Sequence, residues 1–249
     1  MNRKVKIWLL PAIWFAFFSC SERRSMPLSE AAVMLDSARY REVVEYLQMA
    51  DKGEGLSAEA WNLRAAAYYG LGIFDSALYC CDRSLSLDST NYRPWYNRAN
   101  AQYRLGRPGT ALPDYIRAID LRPDRADLYI NRGNTYMLLS APLEAYADYT
   151  FALRLEPDSF LADFNLARSL FALDSLEASA EVLLKCIAKD PGYAPAFYQL
   201  AVVREAAGHG DEACSLVKRA LELGYSDVMN LAGRICPEEI PGHVFTDGQ

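Results

Sequence analysis

The chain has 249 residues, 51% of them apolar, which suits one ordinary domain or two small ones with a real core and excludes disorder as the main state. Its 26 basic and 32 acidic residues give a net charge of −6, a poor match for phosphate backbones that argues against a nucleic-acid partner. Two histidines leave little room for histidine-based metal or acid–base sites, and 14 Gly with 12 Pro exclude collagen-like and low-complexity classes.

Arg3, Lys4 and Lys6 open the chain, and an uncharged apolar run follows over residues 7–18, broken only by Pro11. That run is too short to cross a bilayer as a helix, which takes about 20 residues. A basic start and a short apolar run read as a secretory signal peptide over residues 1–19. Ser19, Cys20, Ser21 and Glu22 come directly after it, and this arrangement resembles the lipobox of bacterial lipoproteins. The resemblance implies that Cys20 is lipidated and becomes the first mature residue, with 20–27 as a short tether. It also implies a place in a bacterial cell envelope, expected at the outer membrane facing the periplasm. Losing the leader leaves 23 basic residues against 32 acidic ones, a charge of −9. Ordinary cleavage nearby with an unmodified Cys20, or an uncleaved anchor, are the alternatives.

Residues 28–57 hold two helix-like stretches, about 28–37 and 40–50, and read as a degenerate capping repeat that ends in a loop over 51–55. From Ala58 to Asp227 one period of 34 residues governs the chain. Pro123, Pro157 and Pro191 keep it, and so do Trp61, Trp95, Tyr129 and Phe197, with Asp163 as the odd member. Three small-residue series follow the same spacing. The first is Ala77, Ala111, Ala145, Ser179 and Ala213; the second is Ser84, Ala118, Ala152, Cys186 and Ala220; the third is Ala65, Ala99, Gly133, Ala167 and Ala201.

Each unit divides into two amphipathic stretches with apolar residues at i, i+3 and i+4. Gly72, Gly106 and Gly208 fall between the two stretches, where a residue at positive φ ends the first helix. The prolines fall between units and stop the second. The pattern resembles the tetratricopeptide repeat, most cleanly over 126–159, where Tyr129, Gly133, Tyr136, Ala145, Tyr149, Ala152 and Pro157 stand in order. The fold this implies is all-α, a right-handed superhelical solenoid of helix–turn–helix repeats, five of them over 58–227. Residues 228–235 suit one short capping helix, and the prolines at 237 and 241 make the rest of 228–249 a tail.

Two local expectations follow. Pro113 would clash with the Gly109 carbonyl in a helix begun at Pro108, so a late start is predicted, with Thr110 as N-cap. Arg98 should pair with Asp114, and Arg132 with Asp148. Where the arginine register holds Leu166 or Leu200 the facing register holds Val182 or Leu216, so charge and counter-charge vanish together, with Arg64 facing Cys80 as the exception.

Signatures of catalysis are missing from the sequence. It holds no GxSxG, HExxH, Walker-type loop or GxGxxG, and Gly208-His209-Gly210 falls on an inter-helix turn. No zinc spacing is present, so neither a metal nor a cofactor is expected. Cys81 and Cys186 fall on core-facing registers, Cys80 adjoins Cys81 and cannot bridge to it ordinarily, and Cys214 and Cys236 are near enough to be weighed as a pair that no spacing argument fixes.

Asn97, Asn131 and Asn165 share one register, continued by Gln199, and Asn100 and Asn134 recur one turn further on. Asparagine is a mediocre helix former, so its recurrence inside helices needs a reason. The family resemblance puts these residues in a concave groove where they can hold a peptide backbone; hydrogen bonds to neighbouring helices are the other reading. Tyr96, Tyr103, Arg104 and Arg168 join them as candidate groove residues, with Tyr69, Phe164 and Tyr198 nearby. The expected function is a non-catalytic scaffold, tethered to a membrane through Cys20, that binds a protein or peptide partner in the assembly of an envelope complex. A ligand-binding component of an uptake system, or an enzyme, are the alternatives.

Overall fold

The structure, a computed structural model, describes residues 27–51 and 55–236. The leader at 1–19, the lipidation candidate Cys20 and the tail at 237–249 lie outside the described residues.

Among the described residues thirteen α-helices follow one another with no strand. They are α1 (Leu28–Asp36), α2 (Tyr40–Ala50), α3 (Ala58–Gly70), α4 (Phe74–Leu87), α5 (Tyr92–Arg104), α6 (Pro108–Leu121), α7 (Ala126–Leu138), α8 (Pro142–Leu155), α9 (Phe160–Ala172), α10 (Leu176–Lys189), α11 (Ala194–Ala206), α12 (Gly210–Glu222) and α13 (Met229–Ile235). Each helix packs on the next, and from α3 to α11 each odd-numbered helix also touches the next odd one. The stack is a solenoid with the odd helices on its inner side.

The small-residue registers form the seams. Ala77, Ala111, Ala145, Ser179 and Ala213 are all buried, as are Ser84, Ala118, Ala152, Cys186 and Ala220. Short side chains let paired helices approach until no gap remains. Where serine replaces alanine, its hydroxyl is used: Ser84 donates to the Ala58 carbonyl at 2.7 Å and Ser179 to the Ala167 carbonyl at 2.8 Å. Gly133 is demanded by its neighbour, because a Cβ there would stand 2.6 Å from the buried Tyr149 ring. The aromatic register also anchors the inter-repeat loops: the Trp95 indole donates to the Ser89 carbonyl and the Tyr129 hydroxyl to the Pro123 carbonyl, both at 3.0 Å.

Every hairpin turn closes through a left-handed residue. Gly72, Gly106 and Gly208 sit at φ of 74°, 71° and 82°. The intervening turns use Ala38, Ser140 and Asp174 at φ of 56°, 56° and 59°. These six positions hold the 34-residue period through α1 and α2 as well.

Pro113 departs from expectation. Helix α6 begins at Pro108, with Pro113 inside it and Arg107 rather than Thr110 in the N-cap place. Two facts make this possible. Pro113 and Gly109 both face solvent, so the carbonyl that loses its partner can be hydrated. The register is held by the other face, where Ala111, Asp114 and Tyr115 are buried.

The C-terminal end is latched. Val228, Leu231 and Ala232 pack on Phe197, Val217 and Ala220, and Cys214 on α12 is disulfide-bonded to Cys236 with Cα atoms 5.5 Å apart. The turn through Ser226–Val228 brings the two cysteines together, which sequence spacing alone did not. Cys80, Cys81 and Cys186 are free and buried, and burial pushes the thiols of Cys80 and Cys186 up to about 11.

Candidate functional site

The first helices of the repeats contribute one face each to the inner side, and two hollows open there. The first, about 370 Å³, lies between α1, α3, α5 and the start of α7. Tyr96 and Asn97 line it, together with Asp36, Glu59, Asn62, Arg93, Arg125 and Asp127. The second, about 290 Å³, lies between α5, α7, α9 and the start of α11. Tyr103, Asn134, Asn165 and Arg168 line it, with Met137, Leu138, Leu161, Phe164 and Tyr193. Asn100, Asn131 and Arg104 line neither hollow.

The recurrent asparagines all have partners within the chain. Asn97 Nδ2 donates to Asn62 Oδ1 at 2.9 Å, and Asn131 Nδ2 to the Tyr96 hydroxyl at 2.8 Å. Each of these bonds joins a first helix to the first helix of the preceding repeat. The series breaks at Asn165, because the residue that would face it one repeat earlier is Ile130, which has no side-chain polar atom. Asn165 instead accepts from Arg168 at 3.4 Å, and it is only 4% exposed, against the expectation that all three amides reach the groove surface. Asn100 Oδ1 accepts from the Tyr115 hydroxyl at 2.6 Å and Asn134 Oδ1 from the Tyr149 hydroxyl at 2.8 Å. These two bonds tie the first helix to the second within a repeat and satisfy the largest fully buried side chains.

Arg104 is engaged differently. Its guanidinium lies 5.0 Å from the Phe74 ring and 5.9 Å from the Tyr69 ring, a stacking contact that covers the α3–α4 turn. Arg168 is exposed on the rim of the second hollow. The sequence missed Asn62, whose only signal is its place one repeat and one residue before Asn97, and it missed the aliphatic wall of Leu138 and Leu161.

The predicted charge pairs are present. Arg98 Nε and Nη2 donate to the two Asp114 oxygens at 2.8 and 2.7 Å, and Arg132 Nε and Nη2 to those of Asp148 at 2.8 and 2.6 Å. Both are two-point guanidinium–carboxylate pairs with the carboxylate buried. Burial pushes the Asp148 carboxyl above its ordinary value, against the pull of Arg132. These pairs brace the repeats and lie outside both hollows. Among the described residues no cluster of His, Cys, Asp or Glu could hold a metal ion, and no helix is long and apolar enough to cross a membrane.

Family models of the tetratricopeptide repeat match residues 63–132 and 142–194. No curated protein matches the chain. Solved structures with the same fold include YrrB, "a TPR protein with an unusual peptide-binding site", at TM-score 0.65 and 20% identity over 77% of this chain and 98% of that one. PilW, a "widely conserved type IV pilus biogenesis factor", aligns at TM-score 0.66 and 22% identity over 72% and 84%. MamA from Desulfovibrio magneticus RS-1 aligns at TM-score 0.64 and 17% identity over 68% and 96%. At these identities the likenesses speak for the fold.

Proposed function

The repeats of this chain are tetratricopeptide repeats, and on that footing we propose that the protein is a non-catalytic interaction scaffold. It is held at a bacterial envelope membrane by lipid on Cys20 and binds a segment of a partner protein in its concave groove, in the assembly of an envelope complex. The observation that carries the binding reading is the inner face itself. Tyr96, Tyr103 and Arg168 reach two hollows that the packing of the solenoid leaves open. Aromatic and arginine side chains in such places are the groups that dominate protein interfaces.

Two things support the envelope reading. The leader and Cys20 carry the lipoprotein pattern. The Cys214–Cys236 bond suits an oxidising compartment such as the periplasm. Among proteins of this fold, PilW is described as a pilus biogenesis factor and YrrB as having a peptide-binding site, and both descriptions agree in kind with the proposal.

The test has two arms. Cys20→Ala should release the protein from membranes into the soluble fraction; a variant that still sediments with membranes refutes the lipid anchor. For the groove, capture from crosslinked membranes is compared between the wild type and Leu161→Asp with Arg168→Glu. Both positions are exposed, so the melting temperature should hardly move. Replacing Asn97 or Asn131 would confound binding with stability, because their amides bond to neighbouring helices. Loss of the partners captured by wild type is expected, and an unchanged set of partners would sink the groove reading.

A further inference from the structure

Helix α13 is a first helix cut short. The first helices α3, α5, α7, α9 and α11 each have 13 residues and start at Ala58, Tyr92, Ala126, Phe160 and Ala194. One more period of 34 falls on Val228, and α13 follows from Met229 with only seven residues. Its seat repeats too. Val217 and Ala220 of α12 come one period after Leu183 and Cys186 of α10, and all four are buried. Leu231 falls on the register of Phe197 and joins Phe197, Val217 and Ala220 in one apolar cluster. Each earlier first helix is also gripped by the second helix after it. Among the described residues no second helix follows α13.

Seven residues, Gly233 among them, are too few for a helix to persist alone, since isolated helices shorter than about 12 residues are marginal in water. The ion pair of Arg234 with Glu205, at 3.2 Å, is exposed and contributes little. The covalent tie is the Cys214–Cys236 disulfide, which joins the second turn of α12 to the residue just past α13. Thiol exchange among the described residues is confined to this pair. Cys80, Cys81 and Cys186 are buried, and burial raises all three thiols, so they present little thiolate near neutral pH. Cys236 is 3% exposed and Cys214 is partly exposed, so an incoming thiolate meets Cys214 first.

We propose that the Cys214–Cys236 bond is a redox latch on the end of the solenoid. Oxidised, it holds α13 over α12; reduced, it lets α13 leave and uncovers Phe197, Val217 and Ala220. The reductant is a dithiol. One of its thiolates attacks Cys214 Sγ, the S–S bond breaks, and Cys236 departs as a thiolate that takes a proton. The second thiol of the reductant then displaces Cys214 from the mixed disulfide, and Cys214 takes the second proton. Two electrons pass to the protein, and the dithiol leaves as a disulfide.

Hydrogen exchange of the detergent-solubilised full-length protein, with and without dithiothreitol, tests this. Reduction should speed exchange of the amides of 229–236 at least about tenfold and leave α3 to α10 within about twofold. Iodoacetamide under native conditions should then label Cys214 and Cys236 in the reduced protein and neither in the oxidised one. Cys214→Ala should exchange over 229–236 like reduced wild type with no dithiothreitol present; should that variant fold poorly, reduced wild type still decides. An α13 that stays protected after reduction overturns the latch, because packing alone then holds it. Exchange that rises equally through all the repeats overturns it too, since the bond would then staple the whole fold. So does a disulfide that dithiothreitol leaves intact in the native protein.

Discussion

The repeat that starts at α3 and the two that follow it each bury the same arginine, and they match its charge by different means. Arg98 and Arg132 each grip a carboxylate 16 residues on, in the second helix of the same repeat, Asp114 and Asp148. Arg64 faces Cys80 instead. Its Nη1 is 3.5 Å from Asp51 at the end of α2, its Nε is buried without a partner, and its guanidinium lies 5.4 and 5.7 Å from the Trp61 and Tyr68 rings. A half-buried arginine at this register needs a counter-charge, but the repeat that carries it need not supply one. In the first full repeat the capping hairpin supplies it, and this ties the cap to the solenoid electrostatically as well as by packing.

Removing a carboxylate breaks the comparison most severely. Asp148→Ala should cost about 3 kcal/mol in urea unfolding at pH 7, because Arg132 keeps no other carboxylate. Asp114→Ala should cost less, about 2 kcal/mol, because Arg98 retains Asp82 at 2.7 Å. Equal losses would mean that the exposed Asp82 contributes nothing.

The reverse experiment gives the first repeat what the others have. Cys80→Asp should raise stability by about 1 kcal/mol, the usual gain from a hydrogen bond made to a charged group less its burial cost. A loss of stability would show that Asp51 and the two rings already satisfy Arg64. The same substitution should make Asp51→Asn nearly neutral.

The hairpin turns divide the repeats along another line. Ser140→Gly should add about 1 kcal/mol by relieving a left-handed residue that carries a Cβ, and Gly106→Ala should lose about as much. No atom lies within 4 Å of a Cβ at Gly106, so the effect there comes from the backbone alone. Thermal unfolding of both variants measures it; opposite signs are expected.

The smallest effect is in the pH profile. Burial raises the Asp148 carboxyl above its unfolded value near about 3.9. The stability that this shift contributes is fully present below the unfolded value and is lost as pH rises through the raised folded value. The stability of wild type relative to Asp148→Asn should therefore fall as pH rises through the acid range. Urea midpoints of the two proteins across that range check it; a constant difference, or one that grows with pH, would contradict it.

The groove was legible only in outline. The 34-residue period placed Tyr96, Asn97, Tyr103, Asn134, Asn165 and Arg168 on the first helices, and the hollows lie there. The period could not say what each amide would bond to. Asn97 finds Asn62 and Asn131 finds Tyr96 because residues 35 apart in sequence stand side by side on adjacent first helices. Asn165 has the same register and a different fate, since Ile130 offers it nothing.

The sequence by itself determined the repeat length, the pairing of helices, the seams of small residues and the arginine–aspartate matches. Each of these rests on residue size or charge recurring at a fixed spacing, and a solenoid in which units touch mainly their neighbours turns spacing directly into contact. Only the tertiary structure decided that Ala38, Ser140 and Asp174 take the left-handed turn that glycine takes elsewhere, that α6 keeps Pro113, and that Cys214 reaches Cys236. In the first two cases packing on both sides of a turn or on the far face of a helix outweighs a local backbone preference of about 1–3 kcal/mol. In the third, bonding depends on a distance that no spacing along the chain sets.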